Sequence, residues 1–262
     1  MRFGVCADVD RVPLLKALGY DYIEANFSNV VKMTDEEYAE WAEKVLESDF
    51  KVETCNGFFP GDVVLTGPNA DISFVESYVE LGMSRVKPLG CEVVVLGSGK
   101  ARNIPDGFDR EKGIEQFCDV LKIAGDVAMK YGIKIVIEPL NAKKETNLVN
   151  TVQDCLDIIK RAGHPNIYAL ADFYHVFMSG ESMDAIINAK ELLAHTHLAR
   201  ANEDRWIPCT EEDFEQCKIW AEALKQNGYT GRMSLEGYFR PDFNEAVEKV
   251  LPAIEIFKNA TK

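Results

Sequence analysis

The chain has 262 residues, 47% of them hydrophobic, enough for one large core. Its formal net charge of -14 lacks the basic footprint that a phosphate backbone requires, which excludes nucleic acid as an expected partner. Its seven cysteines are odd in number, scattered and never spaced CxxC, which excludes a disulfide framework or zinc knuckle and points to reduced thiols in a cytoplasmic protein.

The opening MRFGVCADVDR has no leader-type apolar stretch, and no later run nears the ~18 apolar residues of a membrane span, so no membrane association is expected. Strands are expected at residues 2–7 (RFGVCA) and 20–26 (YDYIEAN). A helix follows in TDEEYAEWAEKVLES, with Thr34 and Asp35 as its start signal. Next come a strand at 51–57 (KVETCNG), a long helical segment at 69–89 and a strand at 92–98 (EVVVLGS). The helix DREKGIEQFCDVLKIAGDVAMKYG, closed by Gly132, leads to a strand at 134–140 (KIVIEPL) and the helix NTVQDCLDIIKRAG. Strands at 167–173 (IYALADF) and 192–198 (LLAHTHL) precede the helix EEDFEQCKIWAEALKQNG. A strand at 232–238 (RMSLEGY) and the helix DFNEAVEKVLPAIEIFKNA complete the pattern. Eight strands alternating with helices, without a linker, predict an α/β fold: a single-domain (β/α)8 TIM barrel over residues 1–262. A doubly wound sheet would need a phosphate loop at its switch point, and none is present.

Active sites of such barrels lie at the C-terminal ends of the strands. There the fifth strand ends at Glu138, the sixth at Asp172, the seventh at His197 and the eighth at Glu236. A glutamate ending the apolar run IVIE is costly to bury unless something pairs with it or a metal binds it. Taken singly, each is an ordinary strand-end polar group; together they would repel one another, and one divalent metal ion is the simplest way to offset that charge. Oxygen donors with one histidine suit Mn²⁺, Mg²⁺, Co²⁺ or Zn²⁺.

His195 shares a strand face with His197 and is either part of that site or packed inside the barrel. His164 in AGHPN is expected to be a solvent-exposed helix cap. The loop at 97–108 (GSGKARNIPDGF) lacks the order of a P-loop, and is expected to offer Lys100 or Arg102 to a polar substrate, with loop-closing salt bridges as the alternative. Phe58, Phe59, Phe173, Tyr174, Tyr238 and Phe239 follow strand ends, as pocket wall or as core.

The segments IEPLN, ETNLVNT, ADFYH, HTHLA and SLEGY, together with YIEAN and GSGKARNIPDGF, resemble the xylose-isomerase-like TIM barrels over nearly the whole length. That superfamily includes sugar phosphate isomerases and epimerases, ketose 3-epimerases, hydroxypyruvate isomerases and inosose dehydratases. The resemblance implies that Glu138, Asp172, His197 and Glu236 bind the metal and that the two glutamates are also the catalytic acid/base pair. It further implies that His175, in the DxxH pattern, and Glu145, in KKETN, contact substrate, with one extra residue between Asn141 and Glu145. Ketose 3-epimerases carry an arginine six residues after the ligand histidine, where this chain has Glu203; Arg205 is the nearby substitute after a loop shift. Lys100, Arg102, Lys143, Lys144 and Arg205 are the basic groups available to a phosphorylated substrate.

The expected function is metal-dependent isomerisation or epimerisation of a small sugar, sugar phosphate or related hydroxyketone through an enediolate. An inosose-type dehydratase would use the same metal site. Two other classes are weighed: an apurinic-site endonuclease, disfavoured by four histidines in an acidic chain, and a non-catalytic sugar-binding barrel, disfavoured by the complete ligand set. Related barrels often pair or form tetramers, so a homo-oligomer is compatible with the resemblance.

Overall fold

The apolar runs form eight strands: β1 (Arg2–Cys6), β2 (Tyr22–Asn26), β3 (Lys51–Asn56), β4 (Val93–Leu96), β5 (Lys134–Ile137), β6 (Ile167–Asp172), β7 (Leu193–Leu198) and β8 (Arg232–Leu235). This is a computed structural model that describes residues 1–142 and 144–261, so Lys143 lies outside the described residues. Neighbouring strands pair in chain order, and β8 returns parallel to β1 to close the barrel. Strands covered on both faces read as unbroken apolar runs, as in VVVL of β4.

Around the barrel lie α1 (Val12–Ala17), α2 (Phe27–Lys32), α3 (Asp35–Glu47), α4 (Val75–Val86), α5 (Arg110–Lys130) and α6 (Val152–Ala162). They are followed by α7 (Phe173–Ser179), α8 (Met183–Ala189), α9 (Glu211–Asn227), α10 (Phe243–Lys249) and α11 (Leu251–Ala260). Thr34 starts α3 with a capping box to Glu37, and Thr151 and Thr210 do the same for α6 and α9. The helical segment expected at 69–89 starts only at Val75, because the Asp71 side chain accepts from the backbone and hydroxyl of Ser73 and holds a turn. The last helix is two, with Pro252 in the first turn of α11. Among the described residues no helix is long and apolar enough to cross a membrane, and all seven cysteines are unbridged.

Inside the barrel, Val93, Val95, Val136 and Leu170 of three neighbouring strands form an apolar cluster. Two residues further along their strands, on the same face, Val136 gives way to Glu138 and Leu170 to Asp172. This alternation puts polar groups above the apolar cluster, at the C-terminal rim. At the opposite end, the register between β2 and β3 shifts and leaves Glu53 as the extra residue of a bulge. Its carboxylate accepts from Arg2 Nε at 3.0 Å and Arg232 Nε at 2.6 Å, while Arg232 Nη2 lies 2.8 Å from Glu92 Oε2. This floor is a network of guanidiniums and carboxylates from the chain itself.

Candidate active site

Glu138 leaves the end of β5 and is held from behind. Arg102 Nη2 donates to its backbone carbonyl at 2.6 Å, and a Cβ on Gly97 would come within 2.4 Å of Glu138 Oε2. The glycine after β4 therefore leaves the space that this carboxylate occupies. Asp172 ends β6 and caps α7: its Oδ1 accepts from the Tyr174 N–H at 2.8 Å and from that of His175 at 3.4 Å. The other oxygen, Oδ2, faces the rim, 2.8 Å from Arg205 Nη2. His197 on β7 sets Nδ1 3.2 Å from Glu138 Oε1 and 3.0 Å from Glu236 Oε2. Glu236, just beyond β8, also accepts from Asn56 Nδ2 at 2.9 Å. One ligand-type atom from each of Glu138, Asp172, His197 and Glu236 lies within 4.8 Å of the other three.

The other residues expected to contact a substrate, Arg205, His175 and Glu145, gather around these four. Arg205 adopts a positive φ of 52° that turns its side chain inward, with Nη2 2.5 Å from Glu236 Oε2 and the guanidinium 5.0 Å above the Tyr174 ring. The loop is pinned by Tyr238 N–H donating to the Arg205 carbonyl at 2.8 Å, and a Cβ on Gly237 would stand 2.5 Å from that same oxygen. His175 is buried, with both ring nitrogens lacking a hydrogen-bond partner among the described residues. They stand 3.5 Å from Glu145 Oε2 and 3.7 Å from Asp172 Oδ2. Glu145 Oε2 accepts from the Asn141 N–H at 3.0 Å.

The charges are uneven. Burial, then the charge of Glu236, push the Glu138 carboxyl up to about 8. Burial acts the same way on Glu236, but the charges of His197 and Arg205 outweigh it and hold that carboxyl well below the usual range. His197 is pulled down by burial, yet Glu236 and Glu24 raise it well above an ordinary imidazole. Burial pushes His175, 3.7 Å from Asp172, toward its neutral form, so the three rim carboxylates have His197 and Arg205 as their cationic partners. An oxygen-rich donor set with one nitrogen and surplus negative charge fits a divalent cation, which Glu138, Asp172, His197 and Glu236 would hold.

Other expectations need correction. Arg102 does not face a substrate: it is fully buried, its Nη1 and Nη2 donate to the carbonyls of Leu96 and Glu138, and its guanidinium lies 5.7 Å over the Phe117 ring. Lys100 stays exposed and lines a surface pocket with Lys144 and Glu145 beside the rim. His164 is not solvent-exposed: its ring packs against Gly125, where a Cβ would meet Nδ1 at 2.5 Å, and Nδ1 accepts from the Asn166 N–H. Phe58, Phe59 and Phe173 belong to the core, Tyr174 lies under Arg205, and Tyr238 is exposed.

The reading of strand ends missed Glu24, on β2. It is fully buried, with Oε1 2.9 Å from His197 Nε2 and Oε2 2.9 Å from His195 Nε2. His195 thus points into the barrel interior toward a carboxylate. The available signal was a glutamate between Ile23 and Ala25 in the buried part of the strand YIEAN.

A family model for the xylose isomerase-like TIM barrel matches residues 12–259. The chain belongs to that family. Among curated relatives, the 2-oxo-tetronate isomerase of Pectobacterium atrosepticum is 33% identical over 101 residues, covering 38% of this chain and 37% of that protein. The D-psicose 3-epimerase of Ruminiclostridium cellulolyticum is 31% identical over 133 residues, covering 50% and 42%. The matched segments span less than half the length of these two relatives. The solved D-psicose 3-epimerase of Clostridium cellulolyticum H10 with D-tagatose superposes with a TM-score of 0.81 over 100% of both chains at 19% identity. The IOLI protein, solved with a zinc atom, gives 0.71 at 20% identity over 100% of this chain and 98% of that one. These two superpositions concern the fold.

Proposed function

We propose that this barrel is a divalent-metal-dependent isomerase or epimerase of a small sugar or related hydroxyketone. The observation that carries the reading is the convergence of Glu138, Asp172, His197 and Glu236 from four successive strand ends to within 4.8 Å. Sugar isomerases and epimerases among the relatives support the same reaction class, and a zinc atom in a neighbour of the same fold supports a cation at such a site. The seven unbridged thiols support a reducing, cytoplasmic setting.

A cation held by the four residues would polarise a substrate carbonyl and offset the charge developing on its oxygens. Glu138 and Glu236 flank His197 Nδ1 at 3.2 and 3.0 Å, so both can reach one bound substrate. One of them takes the C–H proton next to the carbonyl, leaving an enediolate, and a proton then returns to carbon. Return from the other glutamate to the opposite face of the same carbon gives an epimer; return to the neighbouring carbon gives an aldose–ketose isomer. His175 and Glu145, 3.5 Å apart, bind substrate hydroxyls, for which the unpartnered ring nitrogens of His175 are suited. Arg205 holds Asp172 and Glu236 in place and presents a guanidinium to substrate oxygens.

The test is proton NMR in D₂O over a panel of free and phosphorylated ketoses with Mg²⁺ supplied. Deuterium is expected at a carbon next to the carbonyl of one sugar with wild type and not with Glu138→Gln or Glu236→Gln. Exchange that persists unchanged in both variants, or is absent for every sugar with metal bound, contradicts the reading.

A further inference from the structure

Glu24 is a buried carboxylate behind His197, with four side-chain donors around it. It is 2% exposed. Its Oε1 accepts from His197 Nε2 at 2.9 Å. Its Oε2 accepts from His195 Nε2 at 2.9 Å, Thr54 Oγ1 at 2.7 Å and Ser234 Oγ at 2.5 Å. An ionised carboxylate is acceptor-only, with about four lone-pair sites, so each of these partners must present a hydrogen. Both imidazoles therefore carry a proton on Nε2, and on His197 any proton on Nδ1, facing Glu236, is the one that a bound cation would displace. His195 Nδ1 is buried and has no hydrogen-bond partner among the described residues.

His197 differs from His195 in what its second nitrogen meets. Its Nδ1 stands between Glu138 Oε1 and Glu236 Oε2, inside the candidate ligand set. We infer that Glu24 is a positioning residue for the metal: it fixes His197 in the Nε2–H form, so that the Nδ1 lone pair is the one turned to the cation. The charged hydrogen bond also strengthens His197 as a donor, the usual effect of a carboxylate behind a metal-bound imidazole. The support is built from four strands. Thr54 comes from β3, His195 and His197 from β7, and Ser234 from β8. The Ser234 hydroxyl is in turn 2.9 Å from Tyr22 OH, and the Tyr22 ring fills the space where a Cβ on Gly4 would sit, 2.2 Å away.

This inference rests on the metal reading of the rim, and the test separates the two. Metal-free wild type, Glu24→Gln, Ser234→Ala and Glu53→Gln are titrated with Zn²⁺ by calorimetry. The ring nitrogens of His197 in Zn²⁺-loaded wild type are then read by two-bond proton–nitrogen correlations. Glu24→Gln is expected to weaken Zn²⁺ binding by about 10- to 100-fold. Ser234→Ala should weaken it less, and Glu53→Gln, at the far end of the barrel, should leave it unchanged. In the loaded wild type the proton is expected on Nε2 of His197. Equal Zn²⁺ affinity in Glu24→Gln and wild type, or a proton on Nδ1, overturns the role of Glu24 while the metal reading stands. Wild type that binds no Zn²⁺ overturns both. Should Glu24→Gln fail to fold, Ser234→Ala and the wild-type tautomer decide.

Discussion

At the floor of the barrel, the buried Glu53 lies between Arg2 and Arg232, which also reach the more exposed Asp21 and Glu92, so the one buried carboxylate is answered by two guanidiniums. At the rim, Glu138, Asp172 and Glu236 meet His197 and Arg205, the further imidazole beside Asp172, His175, is pushed toward its neutral form by burial, and Glu24 adds a further carboxylate behind His197. Both ends bury charge in the same eight strands. The floor neutralises it with the chain's own cations, as a structural ion-pair network does. The rim leaves negative charge uncompensated, and groups held in such a state mark a functional site.

The sharpest way to break this contrast is to neutralise the rim glutamates. Glu138→Gln or Glu236→Gln is expected to lower kcat by about 10²–10⁴-fold, the range lost with a general acid or base, with an unchanged circular dichroism spectrum. Near-normal turnover in either would refute the paired-glutamate chemistry. Asp172→Asn comes next. An asparagine can still cap α7, so thermal stability should hold while bound metal, assayed by atomic emission, falls. Gly97→Ala probes the space around Glu138: a methyl group 2.4 Å from Oε2 must displace that carboxylate. The expected result is a fold that survives and a kcat reduced by roughly tenfold, the cost of misplacing one reacting group by part of an ångström. Glu53→Gln should affect chemistry least. It leaves Arg232 without its buried partner and is expected to cost about 1–3 kcal/mol in urea unfolding, with metal content and turnover preserved.

The barrel was legible because parallel strands covered on both faces write themselves as runs such as VVVL and KIVI. The rim quartet was legible for a related reason: a polar residue closing an apolar run stands out, and the barrel rule says where it points. The short helices α1, α2, α7 and α8 were not foreseen, since six or seven residues give too few turns for a helical period to show. Arg102 was misread because a basic residue in a glycine-rich loop looks solvated, whereas the loop folds over and the guanidinium takes two carbonyls inside. Glu24 escaped for the opposite reason. Its partners, Thr54, His195, His197 and Ser234, are scattered from the third strand to the eighth, and only barrel closure brings them to one carboxylate.

The most direct measurement of whether the rim holds a cation is metal content per chain after loading with Mn²⁺ and exhaustive dialysis, in wild type, Asp172→Asn and Glu53→Gln side by side. The account predicts one ion retained per chain in wild type and in Glu53→Gln, and loss of that ion in Asp172→Asn. No ion retained by wild type, or equal retention in all three, would contradict it.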